Sequence, residues 1–148
     1  MSIINAIERA YTVMRDRNWE RIYWAIDLHG VCLQSSYATG DYMLCNHDVV
    51  EGLKRIAEQP ESKLILWSSC HPGEYKAIIE YFYLHGVRID YFNENPEEEN
   101  TTTGNFEKKF YFSVLLDDKA GFDPDVDWAK IIEFFDTGRH IEILKGDN

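Results

Sequence analysis

Apolar and polar positions along the chain follow two rhythms. Ile3, Ile4, Ile7, Ala10, Tyr11 and Met14 recur at helical steps with polar residues between them, which predicts an amphipathic helix over 3–18. Residues 22–26 are then continuously apolar and end on Asp27, with a glycine three positions later. That is the pattern of a buried strand over 22–27 that stops in a sharp turn. Mixed polarity over 32–46, with Gly40-Asp41 as a turn signal, suits a small hairpin or flap. Helical spacing returns at Val49, Val50, Leu53 and Ile56, with Asn46 as cap and Pro60 as terminator, predicting a helix over 47–58.

The second half repeats the alternation. A strand is predicted over 63–67, closing on Ser68-Ser69. Pro72 opens a helix over 73–85, carried by Tyr75, Ile78, Ile79, Phe82 and Tyr83 and ended by Gly86. Further strands are expected over 87–92 and 111–116, separated by a polar excursion over 93–105. A helix is expected over 127–135 and a short last strand over 140–144. Strand and helix alternate without internal repeats, so the expected architecture is α/β, a mostly parallel sheet with helices on both faces.

Length and composition narrow the class. The 148 residues make one domain the natural reading, and 45% hydrophobic and 14% aromatic content argues against disorder. A formal net charge of −11 disfavours nucleic acid or an anionic membrane as partner. It leaves room for a small anionic substrate if a cation or oriented amides neutralise it locally. No apolar run approaches the roughly 20 residues of a membrane span, and residues 1–9 do not have the make-up of a secretory signal. Cys32, Cys45 and Cys70 form no CxxC pair, so reduced thiols in a cytoplasmic setting are expected.

Three of the expected strands end in chemistry: Asp27, Ser68-Ser69 and Asp117-Asp118. In a parallel sheet these ends share one edge, so three carboxylates and a hydroxyl should converge from positions up to about 90 residues apart. Like charges gather favourably only around a cation, and oxygen ligands suit Mg²⁺. Lys108 and Lys109 precede the fourth strand and could reach the same edge. A competing set, His29, Cys32, Cys45, His47, Cys70 and His71, could instead supply soft ligands to zinc in an interaction module. Isolated cysteines are also ordinary small hydrophobes. Ser69 reads first as a turn or cap residue, with a role at the site as the alternative.

In motif order, residues 22–120 resemble the haloacid dehalogenase (HAD) superfamily, mainly Mg²⁺-dependent phosphohydrolases. Asp27 in Asp-Leu-His-Gly-Val resembles the first-motif nucleophile, and Ser68 the second-motif residue that holds the phosphoryl group. Lys109 falls in register with the third-motif lysine of short members, with Lys108 the alternative. Asp117 and Asp118 resemble the fourth motif, which completes the metal site. The segment Tyr91-Phe-Asn-Glu-Asn-Pro96 is similar to the loop after the third strand of small cap-less members. The resemblance implies a Rossmann-like sheet of order 3-2-1-4-5 without a large cap. It also implies Mg²⁺ on Asp27, the His29 carbonyl, Asp117 and Asp118, and phosphate held by Ser68, Ser69, Lys109 and the loop amides around Gly30. The implied activity is phosphomonoester hydrolysis through an aspartyl-phosphate. One departure stands out: His29 occupies the position where the family's phosphatases carry an acid/base aspartate. Imidazole can do that proton work; if it does not, the chain is a phosphate- or metal-binding member. A receiver-like signalling domain fits less well, because its acidic pair belongs at the first strand and this one lies at the fourth. Nothing in the sequence encloses a small substrate except the 32–46 flap or a neighbour in a homo-oligomer.

Overall fold

The computed structural model describes residues 2–34 and 42–146. The chain opens with helix α1, Ile3–Arg17, whose N-terminus is capped by Ser2 Oγ accepting from the Ile4 amide at 3.2 Å. Ile7, Tyr11 and Met14, one helical face, are its buried residues. Strand β1, Ile22–Asp27, follows. Helix α2, Asp48–Ala57, starts beside Asn46, whose Oδ1 accepts from the Asp48 amide at 2.9 Å. Strand β2 is Ser62–Trp67, and helix α3, Tyr75–Leu84, is led in by a 3₁₀ turn at Pro72–Glu74. Strands β3, Tyr91–Phe92, and β4, Val114–Leu116, precede helices α4, Pro124–Asp136, and α5, Arg139–Leu144.

The sheet is parallel, four-stranded, and ordered β3-β2-β1-β4. Central β1 aligns Trp24 with Leu64 and Val114, and Asp27 with Trp67. The chain steps one way from β1 to β2 to β3, then returns past β1 to lay down β4. That reversal puts a topological switch point between the carboxyl ends of β1 and β4, where such sheets bind ligands.

Two expectations about this architecture are corrected. The fifth strand of the expected 3-2-1-4-5 order is absent among the described residues: 140–144 lies in α5. Its apparent alternation misleads, because Ile143 is buried while Ile141 is 48% exposed. Inward residues are instead His140 and Ile143, a helical step apart. Gly138, at φ 74°, turns the chain out of α4 so tightly that α5 packs back on α1.

Helices also do not cover both faces. Buried residues of all five helices join one core with Ile22, Trp24, Ile26, Leu64, Leu66, Val114 and Leu116. The alternate residues Tyr23, Ala25, Ile65 and Leu115 meet Phe110, Tyr111 and Phe112 instead. The crossover from β3 to β4 runs in the opposite direction from the two before it, so the right-handed rule sends it over the opposite face. Its residues 93–113 have no helical period, and that face is closed by an aromatic strap.

Strands β3 and β4 are shorter than the expected 87–92 and 111–116. Asp90 Oδ2 accepts from the Leu64 amide at 2.8 Å, and Arg88 Nη2 donates to Ser62 O at 3.1 Å; side chains stand in for ladder partners. Ser113 Oγ does likewise for the Tyr23 amide at 3.1 Å. Of the expected flap, 35–41 lie outside the described residues. Its base is an antiparallel pairing in which the Gln34 amide donates to Met43 O (2.8 Å) and the Cys45 amide to Cys32 O (2.9 Å). No helix among the described residues is long and apolar enough to cross a membrane.

Candidate metal and phosphate site

At the switch point, Asp27 ends β1 and Asp117 follows β4 directly. Asp118 opens a 3₁₀ turn, Asp118–Ala120, that Gly121 closes at φ 101°. One carboxylate oxygen from each of Asp27, Asp117 and Asp118 lies within 4.8 Å of the others. Asp117 Oδ1 accepts from the Lys119 amide at 2.9 Å, which orients it. Gly30 makes the approach of Asp118 feasible: at φ 92° it adopts a conformation L side chains rarely take, and a Cβ there would lie 2.7 Å from Asp118 Oδ2. Its own amide is committed to the turn, donating to Leu33 O at 2.7 Å.

The crowding has an electrostatic signature. Burial, a hydrogen bond to Asp118 and the charge of Asp117 push the Asp27 carboxyl from its ordinary 3.8 up to about 7, against a backbone hydrogen bond from Leu28 that favours ionisation. An Asp27 carboxyl that resists ionising beside two further carboxylates matches a hard divalent cation in both charge and donor type. By residue type, then, the site fits Mg²⁺.

Ser68 follows Trp67, the ladder partner of Asp27, and so lies at the same edge one strand over. Its Oγ accepts from the Cys70 amide at 3.2 Å, leaving the hydroxyl proton for another acceptor. Ser69 is exposed. A residue that sequence reasoning gave no role, Asn93, holds this turn. Its Oδ1 accepts from the Ser68 amide at 2.8 Å, and its Nδ2 donates to Ser68 O and to the Tyr75 hydroxyl, both at 2.7 Å. Asn93 sits at φ 57° directly after β3, a conformation asparagine tolerates better than most residues. The Asn-Glu-Asn-Pro run marked a loop there, but nothing in it pointed to Ser68.

His29 is half-buried, and its Nδ1 is buried with no hydrogen-bond partner among the described residues. Lys109 is not drawn onto the acidic triad. Its Nζ stands 5.6 Å from the centre of the Phe112 ring. With Lys108, Trp67 and Ala25 it borders a cavity of about 190 Å³ on the strapped face. Ala25 lies two residues before Asp27 on that face, so the two lysines border ground below the triad.

The zinc alternative finds no support in the geometry. Among the described residues, the one group of three potential ligands gathered closely enough for a metal is the aspartate triad. Cys32 is in the core, and burial pushes its thiol well above the usual range, which disfavours the thiolate that zinc needs.

The fold and site together define an α/β protein with an acidic triad at the switch point of a parallel sheet. No protein-family model matches the chain, and no curated protein matches it. Among solved structures, a conserved protein from Bacteroides thetaiotaomicron is similar, with a TM-score of 0.60 and 25% identity, covering 79% of this chain and 91% of that one.

Proposed function

We propose that the chain is a Mg²⁺-dependent phosphohydrolase of the HAD type, a cap-less Rossmann-like member working on a small phosphomonoester in the cytoplasm. The observation that carries this reading is the convergence of Asp27, Asp117 and Asp118 at the switch point, within 4.8 Å of one another. The motif order of Asp27, Ser68, Lys109 and Asp117-Asp118 supports it.

A divalent cation held by Asp27, Asp117, Asp118 and the His29 carbonyl would neutralise charge on the phosphoryl oxygens. The remaining work falls to the chain. Ionised Asp27 attacks phosphorus and forms an aspartyl-phosphate, while the bond to the leaving oxygen breaks and the His29 imidazolium protonates that oxygen. The neutral imidazole then takes a proton from water, whose oxygen attacks phosphorus, releasing inorganic phosphate and restoring the Asp27 carboxylate. Ser68, held by Asn93, orients the phosphoryl group through its free hydroxyl proton. Lys109 joins by leaving the Phe112 ring, a contact of only about 0.5–1 kcal/mol at an exposed position.

The decisive experiment measures phosphate release from a panel of phosphomonoesters with and without Mg²⁺, in wild type and Asp27→Asn. Turnover that needs both Mg²⁺ and Asp27 is the expected result. Wild-type rates in Asp27→Asn would refute the mechanism. A second reading rests on His29, whose Nδ1 is shut away from solvent without a partner among the described residues: a phosphate-binding member that does not turn over. Labelling of Asp27 without phosphate release would favour it.

A further inference from the structure

The amino-terminal end of β1 carries a second feature, unrelated to the aspartate triad. A cavity of about 680 Å³ opens there, lined by Trp19, Tyr23, Phe106 and Tyr111 and by four charged residues, Glu20, Arg21, Glu97 and Glu98, three of them acidic. Three of the rings stand edge-on to Tyr111, with centroids at 6.1 Å for Trp19, 6.0 Å for Tyr23 and 5.9 Å for Phe106. The rings therefore form one connected wall. Aromatic faces carry negative potential and attract cations. Trp19 already shows this, since the Arg17 guanidinium lies 5.1 Å from its ring centre.

The carboxylates of Glu97 and Glu98 differ. Glu97 is neutralised locally: Lys63 Nζ lies 3.7 Å away and Arg21 Nε 4.0 Å, and the Tyr91 hydroxyl donates to it. Glu98 accepts from the Tyr23 hydroxyl at 3.2 Å but has no ion pair among the described residues. Burial and the two carboxylates push the Tyr23 phenol above its usual range, so it stays a donor to them. An aromatic wall beside an uncompensated carboxylate, in a chain of net charge −11, is complementary to a positive ligand with apolar surface.

We propose that this cavity binds a small organic ammonium cation, its alkyl groups against the aromatic wall and its charge facing Glu98. The site is separate from the triad: Tyr23 and Asp27 are four residues apart along β1, about 13 Å at ordinary strand rise.

The test titrates choline into the full chain and follows the Trp19 indole N–H by NMR. Its neutral carbon isostere, 3,3-dimethylbutan-1-ol, and potassium chloride serve as controls. Choline should give a saturable shift at Trp19, with the isostere at least about tenfold weaker and potassium without effect. Glu98→Gln, which keeps the acceptor for Tyr23 and removes the charge, should weaken choline by about tenfold. Equal binding of the isostere would show a merely apolar cavity and overturn the proposal. Unchanged choline affinity in Glu98→Gln would place the charge recognition elsewhere and overturn it too. So would the absence of any saturable shift at Trp19.

Discussion

Replacing Asp27 by asparagine should stabilise the metal-free protein, and only above acid pH. In the fold its carboxyl is pushed from 3.8 up to about 7, first by burial, then by the hydrogen bond to Asp118 and the charge of Asp117. The unfolded chain therefore releases this proton at lower pH than the native state does. Between the two values the native state holds more protons, so stability falls as pH rises. The penalty is absent below about pH 4 and fully developed above about pH 7. Each tenfold difference in proton affinity corresponds to about 1.4 kcal/mol, so the ceiling is roughly 4 kcal/mol. Asp27 is only half-buried, and solvent screening reduces this to roughly 1–2 kcal/mol. For a chain of this length that is about 3–6 °C in Tm.

Thermal unfolding of wild type and Asp27→Asn with a chelator present, across that pH range, measures the difference. Comparing the two cancels the titrating groups outside the triad, including Glu61, raised by burial, and His140, lowered by it. The variant should gain Tm near neutrality and above, and match wild type in acid. Saturating Mg²⁺ should reverse the order, adding about 2.7 kcal/mol to wild type at a hundredfold excess over Kd, since the cation replaces the proton on Asp27. A pH-independent difference between the two proteins would refute the electrostatic account of the triad.

Three further outcomes are expected. Gly52→Ala should destabilise by about 1–3 kcal/mol in denaturant titration, because a Cβ there would lie 2.4 Å from Trp128 Cε3 where α2 meets α4; unchanged stability would mean that contact is slack. Asn93→Ala removes three hydrogen bonds around Ser68 at roughly 0.5–1.5 kcal/mol each. Phosphate affinity should fall along with stability, and phosphate binding that survives intact would detach Ser68 from that role. His29→Ala should lower turnover of alkyl phosphates by roughly two to four orders of magnitude. It should do less to p-nitrophenyl phosphate, whose leaving group needs little protonation; equal losses on both would remove His29 as the proton donor.

The strands and their chemistry were legible because both are local. An apolar run such as 22–26 can only be buried, and a carboxylate after it marks a strand end whatever lies around it. Parallel alternation then sufficed to expect Asp27, Ser68 and Asp117 on one edge; the order 3-2-1-4-5 came from the family resemblance, and the sheet has four strands in the order β3-β2-β1-β4 without the fifth. What the sequence left open depended on partners distant along the chain. Residues 140–144 alternate like a strand, but their neighbours are α1 and α4 rather than a free sheet edge, so they coil. The placing of all five helices on one face follows from the reversed crossover and from a strap that has no helical period. Asn93 reads as a loop residue until β2 and β3 lie side by side and its amide meets both backbone groups of Ser68. Gly30 reads as a turn until Asp118, 88 positions later, packs where its Cβ would be. Periodicity reports which face of an element is apolar; only the assembled chain decides what each face and each loop residue meets.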